Sequence, residues 1–236
     1  MILGLREQQR RRFSETLQGM HTPIATARKL VFASIGQTAA GPQAAWAVAR
    51  ALAAVQPRRV LLESRADGSE WLASFAPPGP GQLPRLPEEA RRTLRALPGG
   101  AWGTASAVDH RHFDVVCIDH GHAANPDAAL AAASRGHALC LVASSAREVA
   151  DPAIALAEGI SAHPAGVPTV VALCEPPASR AGWAALIAER APVPVVRLPL
   201  VTGSRPAARA RRSGPAEAEL AAHLLASAVE RKGFRP

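Results

Sequence analysis

Short apolar runs rich in β-branched residues recur along the chain, separated by alanine-rich stretches with helical periodicity. Clear examples are residues 29–35 (KLVFASI), 113–119 (FDVVCID) and 138–144 (ALCLVAS). Continuous apolar runs of this length are typical of strands buried on both faces, because helical crossovers cover both sides of a parallel sheet. We therefore predict an α/β fold: a three-layer sandwich with a mostly parallel sheet and helices on both faces.

The same pattern extends to most of the sequence. Further strands are predicted at residues 59–63, 167–174 and 193–200. Helices are predicted at residues 42–55, 126–134, 147–160 and 215–231, and around Trp183.

The predicted domain organisation is simple. Residues 1–24 form an N-terminal polar arm or helix, and residues 25–236 form one α/β domain. Within that domain, residues 75–103 are rich in proline and glycine, which predicts a surface excursion. Its amphipathic piece, residues 87–97 (PEEARRTLRAL), predicts one short helix in the excursion.

Composition limits the class of protein. With 236 residues, of which 48% are hydrophobic, the chain can bury a sizeable core. No apolar run reaches the roughly 20 residues that a membrane span needs, and the arginine-rich N-terminus lacks the apolar core of a signal peptide. These features predict a cytoplasmic protein. Cys117, Cys140 and Cys174 each lie in a strand-like run, which predicts buried, reduced thiols.

The formal net charge of +8 suggests an anionic partner. The cationic residues of the chain are almost all arginine, a bias that the codon composition of the gene would also explain. Two arginine clusters could form an anion or partner surface, binding DNA phosphates or an acidic protein, although such a run as the second cluster is more often a solvated loop. The clusters consist of Arg10, Arg11 and Arg12, and of Arg205, Arg209, Arg211 and Arg212.

The segment GQTAAGPQ, between the first strand and the first helix, has the outline of a phosphate-binding loop. In such a loop backbone amides and a helix N-terminus hold the phosphates, a lysine offsets their charge and a hydroxyl binds magnesium. Proline suits the start of a helix, but it supplies no charge. The segment consists of Gly36, Gln37, Thr38, Ala39, Ala40, Gly41, Pro42 and Gln43.

Together with RVLLESRADGS, FDVVCIDHG, ALCLVASSAREV, VPTVVALCEP and VPVVRLPL, this segment resembles the MinD/ParA-like P-loop ATPases over residues 29–231. The chain looks most similar to the actinobacterial MinD-like proteins encoded with type VII secretion systems. Matched to the family's loop, Gln37 and Pro42 replace the two lysines, and Gly41 is kept. Thr38 and Ala39 replace two glycines, while Gln43 and Ala44 replace two hydroxyl residues.

Two further family positions differ in how well they are preserved. Ser64 stands where the family has a strand-terminal aspartate, with Asp67 as a doubtful substitute, whereas Asp119 matches the Walker B aspartate. Losing both lysines and the magnesium-binding hydroxyl removes most of the electrostatic stabilisation that phosphoryl transfer needs. The resemblance thus implies a degenerate, catalytically inactive member that acts as an interaction, scaffold or regulatory subunit.

Several functional alternatives remain open at this point. No cofactor is expected, although weak binding of ATP and magnesium is possible through the helix N-terminus. The expected partner is a protein, such as an active MinD/ParA-like or secretion ATPase, or a second copy in a homodimer. The alternatives are a divergent ATPase that uses Asp119 with arginines supplying positive charge, and non-specific DNA binding through the arginine clusters.

A histidine-rich segment after the strand at residues 113–119 raises the question of a metal. Asp119, His120 and His122 would lie at the carboxyl edge of the sheet, where open α/β sheets bind ligands. Carboxylate and imidazole are suitable ligands for a transition metal. The simpler alternative is that Asp119 caps the following turn and the histidines occupy the loop.

Overall fold

The computed structural model describes residues 18, 24, 26–36, 40–55, 59–64, 94–97, 113–175, 182–199 and 214–230. Several predicted features therefore lie outside the described residues. They are the N-terminal arm apart from residues 18 and 24, most of the excursion at 75–103, loop positions 37–39, Asp67 and both arginine clusters.

Seven parallel strands form one sheet at the centre of the described domain. Their order across the sheet is β3-β2-β4-β1-β5-β6-β7, and every pairing is parallel. All seven strands therefore begin at one edge of the sheet, the amino edge, and end at the other, the carboxyl edge. The strands are β1 (Arg28–Ser34), β2 (Val60–Ser64), β3 (Leu94–Leu97), β4 (Val115–His122), β5 (Ala138–Ser144), β6 (Thr169–Glu175) and β7 (Val195–Pro199).

Five described helices cover the two faces of the sheet. One face carries α1 and α5, and the other carries α2, α3 and α4. The helices are α1 (Ala40–Val55), α2 (Pro126–Ala133), α3 (Arg147–Ala162), α4 (Gly182–Arg190) and α5 (Pro215–Glu230). The fold class predicted from the sequence is thereby confirmed.

Strand residues alternate between two apolar cores, because successive side chains point to opposite faces of the sheet. On β1, Leu30 and Phe32 pack under α1 and α5, whereas Val31 and Ala33 pack under α2 and α3. These residues are fully buried, as expected for the central strand of a parallel sheet. By the same alternation, Ser34 at the end of β1 lies on the face of the sheet that α1 covers.

Most predicted elements are found within two residues of their expected ends, but one prediction is wrong. Residues 94–97, placed in a short helix by the amphipathic pattern, form β3 and pair with β2 from Val60 to Glu63. The pattern LRAL fits either a helix or an edge strand, and the pairing to β2 decides between them. Among the described residues, no helix is long and apolar enough to cross a membrane.

Candidate functional site

The turn that leaves β1 is the first part of the candidate site. Gly36 has a φ of 70°, a left-handed conformation that glycine adopts without steric cost. Just before it, the amide of Ile35 donates a hydrogen bond to the carbonyl of Val142 on β5, at 2.8 Å. The chain therefore turns sharply at the carboxyl edge of the sheet, where the sequence predicts the phosphate-loop outline.

The first turn of α1 lies directly against the end of β1. A Cβ atom at Gly41 would collide with the Oγ atom of Ser34, which is itself buried. The helix begins at Ala40, so Pro42 occupies its third position rather than its first as predicted. Proline is tolerated there because the amides of the first turn have no intrahelical partner. Pro42 and Gln43 are both half-buried.

Asp119 lies beside this first turn, on the strand next to β1. Its side chain is fully buried, and its Oδ1 atom accepts a hydrogen bond from the amide of Gly121 at 3.1 Å. The same oxygen is 3.9 Å from the position a Cβ would take at Gly41. In this geometry Asp119 stabilises the turn that follows it, which agrees with the simpler of the two sequence interpretations.

A bulge in β4 explains why that turn is needed. Phe32 pairs with Asp119 and Ala33 pairs with Gly121, so His120 is one extra residue on β4 at this point of the register. The extra residue bends the strand at the bulge, and Gly121 adopts the φ of 83° that this bend requires. His122 is exposed at the end of the strand. The described residues contain no group of three or more histidine, cysteine, aspartate or glutamate side chains placed to hold a metal ion.

A small cavity opens on the other side of the first turn of α1. Its volume is about 50 Å³, enough for a few water molecules. Its walls come from α1, from the carboxyl ends of β6 and β7, and from α5. The lining residues are Ala40, Gln43, Ala44, Ala47, Cys174, Leu198, Pro199 and Glu217.

Glu217, which lines this cavity, also faces Arg50 across the interface of α1 and α5. The Arg50 Nη2 and Glu217 Oε1 atoms are 3.9 Å apart, a long ion pair. Burial lowers the pKa of Arg50, and the charge of Glu217 partly opposes that shift. Both charged groups therefore lie at the packing interface of the two helices.

The predicted site residues are thus brought together only in part. Gly36, Gly41, Pro42, Gln43 and Asp119 meet at the carboxyl edge of the sheet on the α1 face. Ser64 pairs with Asp119 in the register of β2 and β4. Gln37, Thr38 and Ala39 lie outside the described residues. Sequence reasoning missed Ser34 and Glu217, because nothing in an apolar strand or an amphipathic helix marks either residue.

This arrangement defines a class of protein. A central parallel sheet, a glycine turn after β1 leading into a helix, and an aspartate at the end of the neighbouring strand together form an α/β fold of the P-loop NTPase type, in its MinD/ParA-like form.

Solved structures of low sequence identity share this fold. One is the ParA family ATPase from Chlorobium tepidum TLS, with a TM-score of 0.51 and 14% identity, covering 87% of this chain and 97% of that one. Another is a chain of the MinC:MinD cell division protein complex of Aquifex aeolicus, with a TM-score of 0.52 and 16% identity, covering 89% and 99%. No family model and no curated protein matches the sequence.

Proposed function

We propose that this protein is a catalytically inactive member of the MinD/ParA-like fold that works as an interaction, scaffold or regulatory subunit. The observation that carries the proposal is the first turn of α1. Pro42 and Gln43 stand where phosphate transfer needs a cation and a hydroxyl. In the same turn, Gly41 packs on buried Ser34. The fold is kept, whereas the groups that would act on a nucleotide are replaced.

Two features of the described residues at this edge support a loss of magnesium-ATP binding. Asp119 is fully buried and bonded to the amide of Gly121, so its Oδ1 atom is turned away from solvent. No described cation replaces the lysine, because Arg147 and Arg197, the cations at this edge, are paired with Asp151 and Glu175. Phosphoryl transfer depends on cations around the transferred group, so this site has lost its main source of catalysis.

The finer parts of the proposal rest on the resemblance. We infer a cytoplasmic protein that forms a homodimer or pairs with an active MinD/ParA-like or secretion ATPase, and a place in the type VII secretion-associated branch. Protein partnering is plausible for this fold because one of the similar structures is the MinC:MinD complex.

Calorimetric titration of the full chain with magnesium-ATP and magnesium-ADP tests the loss of nucleotide binding. We expect no binding tighter than about 1 mM, because no cation offsets the phosphate charge. The matched variant is Pro42→Lys/Gln43→Thr, which restores the lysine and the hydroxyl. Heat from this variant alone would show that the backbone of the loop still forms and that side chains account for the loss.

Binding by the unmodified chain, with magnesium-dependent turnover that Asp119→Ala abolishes, would instead establish the divergent ATPase. The scaffold role needs its own measurement: light scattering of the purified chain, alone and with the candidate ATPase. An inert monomer that recruits no partner from its native host would contradict the proposed role.

A further inference from the structure

The described cationic side chains divide into two groups according to whether they form an ion pair with a carboxylate. Those with a carboxylate partner are Arg50, Arg59, Arg147 and Arg197. Arg28, Lys29, Arg135 and Arg190 form no ion pair with another described residue.

The four unpaired cations all lie at the amino edge. Arg28 and Lys29 begin β1, Arg135 lies between α2 and β5, and Arg190 ends α4 shortly before β7. Since β1, β5, β6 and β7 are neighbours in that order, the strands that these residues begin or precede span about 14 Å of the edge, at roughly 4.8 Å per strand. We call the four residues the cationic row. This cationic row is on the opposite side of the domain from the phosphate-loop outline.

From this arrangement we propose that the cationic row is a docking surface for an acidic protein segment. The inference extends the interaction role proposed above by naming the chemistry of the partner and the side of the domain it contacts. An extended segment of about four or five residues spans the row, at about 3.3 Å per residue. These cations favour such a partner because binding breaks no ion pair with another described residue.

An acidic peptide fits this edge better than a nucleic acid. Asp114 and Glu189 interrupt the edge with negative charge, and Asp114 already holds Arg59 through its carboxylate. The phosphates of a duplex have fixed spacing and would be repelled at both positions, whereas a flexible peptide can turn its carboxylates away from Asp114 and Glu189. Arg28 and Lys29 are also half-buried, so a narrow chain reaches them more readily than a broad duplex.

Charge reversal at the two exposed members of the row tests the proposal. The probe is a fluorescent polyglutamate peptide of about twelve residues, titrated by anisotropy at low and moderate salt. The test variant is Arg135→Glu/Arg190→Glu, and the control is Arg147→Glu. Arg147 is also exposed but lies at the carboxyl edge, paired with Asp151.

The expected result is a loss of affinity of about tenfold or more in the double variant and less than about threefold in the control. Equal affinities for the two variants would overturn the proposal. So would a chain that ignores polyglutamate but binds duplex DNA, with that binding lost in the double variant. Circular dichroism confirms folding of each variant. Nucleotide is absent throughout, so failure here leaves the nucleotide titration unaffected, and the reverse also holds.

Discussion

Gly41 at the start of α1 packs so closely on Ser34 at the end of β1 that there is no room for a Cβ atom between them. This contact joins the first helix to the central strand at the point where a nucleotide-binding relative would hold phosphate. Two buried positions, one in a strand and one in a helix, therefore fix how the first turn of α1 lies against the end of β1.

Substituting Gly41 with alanine should destabilise the protein. We expect Gly41→Ala to lower the free energy of unfolding by about 1–3 kcal/mol, because the added methyl displaces the helix or the Ser34 side chain. The matched control is Gly159→Ala in α3, where a Cβ meets nothing within 4 Å. That change should raise stability by about 0.5–1 kcal/mol through helix propensity. Urea denaturation measures both, and equal effects at the two positions would contradict the close contact.

The ion pair between Arg197 and Glu175 should contribute measurably to stability. Two hydrogen bonds of 2.7 Å join the guanidinium to the carboxylate across β7 and β6. Hydrogen bonding to Glu175 raises the pKa of Arg197, so the guanidinium stays charged under ordinary conditions. We expect Arg197→Gln to cost about 1 kcal/mol, since the pair is partly solvated.

The exposed pair of Arg147 and Asp151, with a single 3.2 Å contact, is the comparison for that measurement. Arg147→Gln should change the free energy of unfolding by less than about 0.5 kcal/mol. A larger loss of unfolding free energy from Arg147→Gln than from Arg197→Gln would show that the paired hydrogen bonds of Arg197 to Glu175 confer no extra stability.

The buried thiols should make the protein less stable at alkaline pH. Burial raises the pKa of Cys174 from its ordinary value of 9.0 to about 12, and it also raises the pKa of Cys117 and Cys140. The unfolded chain loses these protons above about pH 9, whereas the folded chain keeps them. The stability from Cys174 is therefore fully present below pH 9 and is lost as pH rises towards 12.

Between pH 8 and pH 10 this thiol alone should cost about 1.4 kcal/mol of unfolding free energy, one pH unit of linkage. Denaturation curves of the unmodified chain and of Cys174→Ala at both pH values isolate that loss. The variant should lose about that much less than the unmodified chain. The same pH dependence in both proteins would mean that Cys174 titrates normally in the fold.

His137 should stabilise the amino edge of the sheet through its ring. The amide of Lys29 donates to its Nδ1 atom at 3.0 Å, and the amide of His137 donates to the carbonyl of Lys29 at 2.8 Å. We expect His137→Ala to cost about 1–3 kcal/mol, because the Lys29 amide loses its acceptor in a partly buried position. Thermal unfolding monitors the change. His137→Asn supplies a side-chain oxygen near the Nδ1 position and should recover part of the loss, whereas no recovery would assign the effect to packing alone.

The sequence predicts the strands at the centre of the fold well, and the edges less well. The run ALCLVAS gives β5 at residues 138–144, because a central parallel strand must be apolar on both faces and is bounded by polar turns. Residues 94–97 illustrate the limit. Their pattern suits a helix or a strand, and only the hydrogen bonds to β2, more than 30 residues away along the chain, make them an edge strand.

By itself, the sequence determines the parallel α/β class, the burial of the three thiols and the absence of lysine from residues 36–43, because each depends on residue type and local periodicity. The tertiary structure alone decides that Ser34 packs on Gly41, that Asp119 turns towards Gly121, and that the unpaired cations share one edge. These contacts join residues distant along the chain, and their geometry depends on strand order and register, which local patterns do not encode.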